Sequence, residues 1–186
     1  SDLLFGVVVT THEISERIRM GGKILGSNVN ATTCGLIERS LKTLALRIRQ
    51  QNENAQILAE FLNDHSKVQA VYFPGLPDHP GHDIAMAQMS GFGGMLSFEP
   101  RLRTAADAEA VVRRFKLIAP AVSLGGVETM VNMPARTSHS LLPAEERKKV
   151  GVKDVLLRVS VGIEDAKDLM EDVDQALQLG GVYATS

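Results

Sequence analysis

The segment VLLRVSV at 155–161 constrains this chain more than any other. It alternates with a period of two, so Val155, Leu157, Val159 and Val161 share one face and Leu156, Arg158 and Ser160 the other. That is a strand, apolar except for one guanidinium and one serine hydroxyl. A buried arginine stays charged and is costly to desolvate unless it meets an anion. Two readings of Arg158 stand on the residues alone. It forms a structural salt bridge or faces solvent, or it is a planar fork held rigidly to take a ligand carboxylate through two parallel hydrogen bonds.

Strand and helix signals interleave around this segment. The run LLFGVVV at 3–9 predicts a fully buried strand. The spacing Thr10–Glu13 predicts a capping box and a helix over Thr11–Met20, ended by Gly21-Gly22. Ile37, Leu41, Leu44, Ile48, Ala55, Leu58 and Leu62 lay one apolar stripe along a single long helix. Asn30 or Thr32 would cap it, and it would exit at His65-Ser66. Then follow a strand at 68–73, a Pro/Gly loop, a short helix from His82 to Met89 and a strand at 95–99. Thr104 and Asp107 open a helix carrying Ala110, Val111, Phe115 and Ile118. Extended pieces near 119–123 and 128–133 precede a charged helical turn after Pro143, and a last helix starts at Asp165. The short links suit an antiparallel sheet covered by helices.

Composition removes several function classes. Twenty Lys and Arg against twenty-two Asp and Glu leave a formal charge of −2, which argues against a nucleic-acid partner. The apolar run at 3–9 is too short to span a membrane. A single cysteine, Cys34, excludes an internal disulfide and the Cys-rich metal and redox motifs, and the expected location is cytoplasmic. A buried strand beginning almost at residue 1 lacks neighbours, so the chain is expected to be a piece of a larger protein.

Other candidates for chemistry are weaker. His79 and His82 have metal-ligand spacing without a third His or Cys, and read as a polar loop. Cys34 has no adjacent His or Lys and reads as a small, buried or half-buried residue. Gly91, Gly93 and Gly94 run into a strand rather than a helix, so they read as a tight turn. In Ser123-Leu124-Gly125-Gly126-Val127-Glu128, free amides beside a serine suit either an anion or a bulge.

In order, SGFGGMLSFE, SLGGVET and LLRVSVGIED with its acidic helix closely resemble the Cys/Met-metabolism family of pyridoxal-phosphate enzymes. That family contains the cystathionine gamma-synthases, the cystathionine gamma- and beta-lyases and methionine gamma-lyase. The segment LKTLALRIRQQNENAQILAEFL resembles its inter-domain helix, and VYFPGLPDHPGHDIAMAQ the entry to its small domain. The resemblance implies an α/β chain, the C-terminal piece of a fold-type I (aspartate-aminotransferase-like) enzyme. Residues 1–66 would close the large cofactor domain and form the connecting helix, 67–180 the small α+β domain with its antiparallel sheet, and 181–186 a tail. Ser1-Asp2 resembles the end of the family's GHSD segment. The lysine that forms the Schiff base would then lie just upstream, with the other cofactor-holding groups further upstream.

The resemblance also implies roles. Arg158 matches the arginine that clamps the substrate α-carboxylate, and Ser123 the serine that helps hold it. Ser138 falls where members commonly carry Thr in P-A-x-M-T-H, although Thr137 replaces the Met. Asn132 stands where several gamma-lyases have Glu. The implied cofactor is pyridoxal 5'-phosphate, held by the whole enzyme rather than by this piece. The implied partners are a sulfur amino acid or activated homoserine, the N-terminal portion of the same chain, and further copies in a dimer of dimers. An aminotransferase of the same fold and a non-catalytic binding module are the rival readings.

Overall fold

The computed structural model describes residues 3–178. Ser1-Asp2 and the tail expected at 181–186 lie outside the described residues. The chain divides between Ala45 and Leu46 into two compact units.

The first unit holds two helices, α1 (His12–Leu25) and α2 (Ala31–Leu41), and none of its described residues is buried. Three expectations fail here. Leu3–Val9 forms no strand, because none of the described strands pairs with it, and an unpaired strand has no ladder to hold it. α1 runs through Gly21-Gly22 and stops only at Gly26, whose φ of 69° supplies the left-handed turn a helix end needs. Its N-cap is Thr11, without a side-chain bond, so the Thr10–Glu13 box does not form. The long helix is broken at Lys42-Thr43, where the N–H groups reach back three residues, to Arg39 and Ser40, instead of four. Asn30 does cap α2, accepting from Thr33 N–H at 2.9 Å.

The second unit is built on a five-stranded sheet ordered β1-β2-β5-β4-β3. Its strands are β1 (Val68–Tyr72), β2 (Met95–Pro100), β3 (Ala119–Pro120), β4 (Met130–Asn132) and β5 (Leu157–Ser160). The pairs are antiparallel except the short β3–β4 pair, which is parallel, so the sheet is mostly antiparallel, as expected. α3 (Leu44–Asn63) ends at Asn63, short of His65, and contributes Leu58 and Leu62 to the core. α5 (Ala105–Val112) and α7 (Ala166–Leu177) contribute Ala108, Val111, Leu169 and Val173. The strands supply Leu96, Phe98, Val131, Leu157 and Val159 to the same core. α4 (His82–Gln88) and α6 (Ala144–Lys149) lie in the connections. α5 stops at Val112, so Phe115 and Ile118 fall in the following loop, where Asp172 of α7 accepts the N–H groups of Lys116, Leu117 and Ile118. Among the described residues no helix is long and apolar enough to cross a membrane.

Candidate functional site

One face of the sheet is the core; the other carries the strands' polar residues beside Met95, Met130 and Leu156. Strand register places Tyr72 opposite Ser97, Ser97 opposite Arg158 and Arg158 opposite Asn132. Directly paired residues share a face, so four polar side chains stand in a row across β1, β2, β5 and β4. The residues directly opposite Arg158 on either side, Ser97 and Asn132, are thus both neutral. Among the described residues it has no carboxylate within ion-pair distance, and its buried Nε has no hydrogen-bond partner. The salt-bridge reading of Arg158 has no support in this arrangement. A buried donor without an acceptor is costly, and a half-buried guanidinium with a free edge suits a planar anion.

The Ser123 loop crosses the end of the same strand. Gly125, with φ of 73°, donates its N–H to Ser160 Oγ at 3.0 Å, and Ser160 shares the face of Arg158. Gln51 of α3 donates to Gly126 O at 2.7 Å, pinning the loop from its other side. Asn54, one turn further along α3, donates to Gly162 O and Glu164 O. Gly162 has no room for a side chain, because a Cβ there would collide with Val127 O. Glu164 closes the turn by accepting from Thr129 N–H and Oγ1. The loop is therefore a fastened bend, with Ser123 at its start.

Asn132 reaches the neighbouring segments. It donates to Ala121 O at 3.4 Å and accepts from Thr137 Oγ1 at 3.3 Å. Ser138 lies beyond the short 3-10 turn Pro134–Arg136, exposed, with its hydroxyl on His139 Nδ1 at 2.9 Å. Val122, Asn132 and Thr137 also line a cavity of about 620 Å³ beside β3. At the rim of that cavity Arg136 pairs with Glu109 at 2.9 Å.

Residues that the motifs did not flag surround this row. Glu99 is fully buried on the polar face, accepting from Tyr72 OH and from Lys153 Nζ, each at 2.7 Å. Burial first, then the Glu99 bond and its charge, push the Tyr72 phenol from 10.0 up to about 12. Gln51 and Asn54 had a usable signal: they are polar residues on the otherwise apolar stripe of α3, and both are buried.

The weaker candidates resolve simply. His82 Nδ1 bonds Pro74 O and its ring stacks on Phe92, while His79 Nδ1 accepts from Gly81 N–H. Among the described residues no three His, Cys, Asp or Glu side chains are grouped to hold a metal. Cys34 is exposed rather than half-buried, because the helix that carries it buries nothing. Gly93 takes a φ of 83° at the turn into β2, as the tight-turn reading requires.

The donor chemistry fits a substrate carboxylate better than the cofactor itself. The described lysines are exposed except half-buried Lys67, which donates to Leu177 O and Gln178 Oε1. Comparison with known proteins places the chain among relatives of one kind. The chain is 42% identical over 182 residues to the cystathionine beta-lyase of Lactococcus lactis subsp. cremoris, covering 96% of this chain and 47% of the relative. It is 43% identical over 183 residues to the chloroplastic cystathionine gamma-synthase 1 of Arabidopsis thaliana, covering 96% and 31%. The crystal structure of a cystathionine gamma-lyase from Micromonospora echinospora superposes with a TM-score of 0.86 at 40% identity, covering 93% of this chain and 45% of that one. The chain thus spans less than half the length of these relatives. With residues 1–178 matching the family model for Cys/Met metabolism PLP-dependent enzymes, the chain belongs to that family.

Proposed function

We propose that this chain forms the substrate-carboxylate side of a pyridoxal-phosphate-dependent trans-sulfuration enzyme. Such an enzyme acts on a sulfur amino acid or activated homoserine by β- or γ-elimination or γ-replacement. The observation that carries the reading is Arg158, a half-buried cation between two neutral strand neighbours with an unpartnered Nε. Arg158 takes the α-carboxylate through its planar fork, Ser123 adds a second polar contact from the fastened loop, and Ser138 contributes a hydroxyl from beyond β4. Holding the carboxylate fixes rotation about the substrate Cα, so the bond to be broken is presented in one orientation. Pyridoxal phosphate, when bound, supplies the electron sink for charge that develops at that carbon.

In this reading residues 1–66 close the cofactor domain and connect it to the small domain at 67–180. The whole protein works in the cytoplasm as a dimer of dimers. The lysine that carries the cofactor lies outside this chain, so the chain by itself does not turn over substrate.

The test is Arg158→Lys in the full-length protein. A lysine keeps the charge but loses the bidentate geometry. We expect kcat/KM to fall about 10- to 100-fold at unchanged melting temperature. An unchanged kcat/KM with a lower melting temperature would assign Arg158 a structural role and remove the clamp. The isolated chain, assayed beside it with added cofactor, should show no turnover.

A further inference from the structure

Arg158 faces a built-in competitor. Glu99 is the only acidic residue in the five strands, and it lies on the polar face of β2, two residues beyond Ser97. Ser97 is directly opposite Arg158, which makes Glu99 a diagonal neighbour, and diagonal positions about 7–8 Å apart are within reach of long side chains. A buried carboxylate needs compensating donors, and a cation within reach is a strong one. Arg158 would serve, and a Glu99–Arg158 pair would close the guanidinium to any ligand. The structure shows the other arrangement: Tyr72 OH holds Oε1 and Lys153 Nζ holds Oε2. Lys153 reaches in from outside, with 52% of its side chain exposed against 1% for Glu99.

We infer that Tyr72 and Lys153 are positioning residues that sequester the Glu99 carboxylate and so keep Arg158 free for a ligand carboxylate. This rests on the carboxylate-clamp reading and adds a means of keeping the clamp open. Asn132, the other strand neighbour of Arg158, is neutral and engaged with Ala121 and Thr137, so it offers Arg158 no competing charge.

The experiment is Lys153→Met in the full-length holoenzyme, which removes the cation on Glu99 Oε2. Deprived of its cation, the carboxylate should turn to Arg158. KM for the amino-acid substrate should rise about tenfold with kcat nearly unchanged, as expected for an ion pair that must be broken before substrate enters. The double variant Lys153→Met/Glu99→Gln should recover the original KM, which no loss of folding would do. A crystal structure of Lys153→Met should show Glu99 within about 4 Å of the Arg158 guanidinium. An unchanged KM with Glu99 still on Tyr72, or a raised KM that Glu99→Gln does not rescue, would overturn the inference. Should Lys153→Met not fold, Tyr72→Phe frees Glu99 Oε1 while Lys153 stays on Oε2, so KM should rise by a smaller factor, and Glu99→Gln should again remove the rise. If Arg158→Lys itself leaves KM unaltered, the clamp reading has failed. If it raises KM while Lys153→Met does not, only the sequestration of Glu99 has failed.

Discussion

At the scale of single residues, the same physics that makes Glu99 a hazard makes Asp172 an anchor. Asp172 is buried on α7 and accepts three consecutive backbone N–H groups, from Lys116, Leu117 and Ile118, at 2.8–2.9 Å, and the Gln175 amide as well. Burial pushes its carboxyl up, but the four donors outweigh that and hold it below the usual 3.8. A carboxylate whose folded pKa is depressed stabilises the fold above its unfolded pKa, and the benefit fades as pH falls through the folded value. Asp172→Ala leaves three N–H groups at the entry to β3 without an acceptor, and should cost about 3 kcal/mol at pH 7. The difference between wild type and variant should shrink as the pH drops below the ordinary carboxylate range. Urea unfolding at pH 7 and pH 3 measures both; an equal midpoint at pH 7 would contradict the anchor.

Elements follow their local signals where a partner is at hand. Thr104 caps α5 by accepting from Asp107 N–H, and Asp107 returns the bond to Thr104 N–H, completing a capping box. Thr104→Ala should therefore lower stability by about 1 kcal/mol, seen as a shift in denaturant midpoint with unchanged slope. The signal was legible because Thr and Asp sit three apart before an apolar face, and Ala108 and Val111 then pack into the core. The same three-residue spacing, with Glu in place of Asp, at Thr10–Glu13 gave no box, since α1 has no buried side to fix where the helix starts. β2, β5 and the helix after Asp165 were legible because alternation and stripe both match burial. The parallel β3–β4 pair was not: two and three residues are too short to show a period. Arg158 stood out as a charge in an apolar strand. Glu99 and Lys153 did not, because they are 54 residues apart in sequence and only the register of β1 and β2 brings Tyr72 to the same carboxylate.

The two units differ in how their apolar residues are used, and that difference governs how the chain behaves as a whole molecule. From Leu46 onward the apolar residues of strands and helices form a continuous core, with Phe73, Phe98, Val131 and Leu157 fully enclosed. Before that boundary nothing described is buried, although Leu4, Val9, Ile24 and Leu25 are each more than three-quarters exposed. Exposed apolar surface on this scale promotes association. The run LLFGVVV adds a second hazard, since an uncharged stretch of high β-propensity with free backbone groups is a template for pairing with another copy. The isolated chain should therefore self-associate with rising concentration in sedimentation velocity. A charge placed in the run, Val8→Lys, should shift the distribution toward monomer, because a lysine disfavours strand pairing between copies. The melting temperature should stay unchanged, because Val8 contributes nothing to the core that Leu46 onward builds. A wild-type chain that stays a single monomeric species at every concentration would show that these side chains are covered in solution. Equal association of wild type and Val8→Lys would move its source from the run to the exposed faces of α1 and α2.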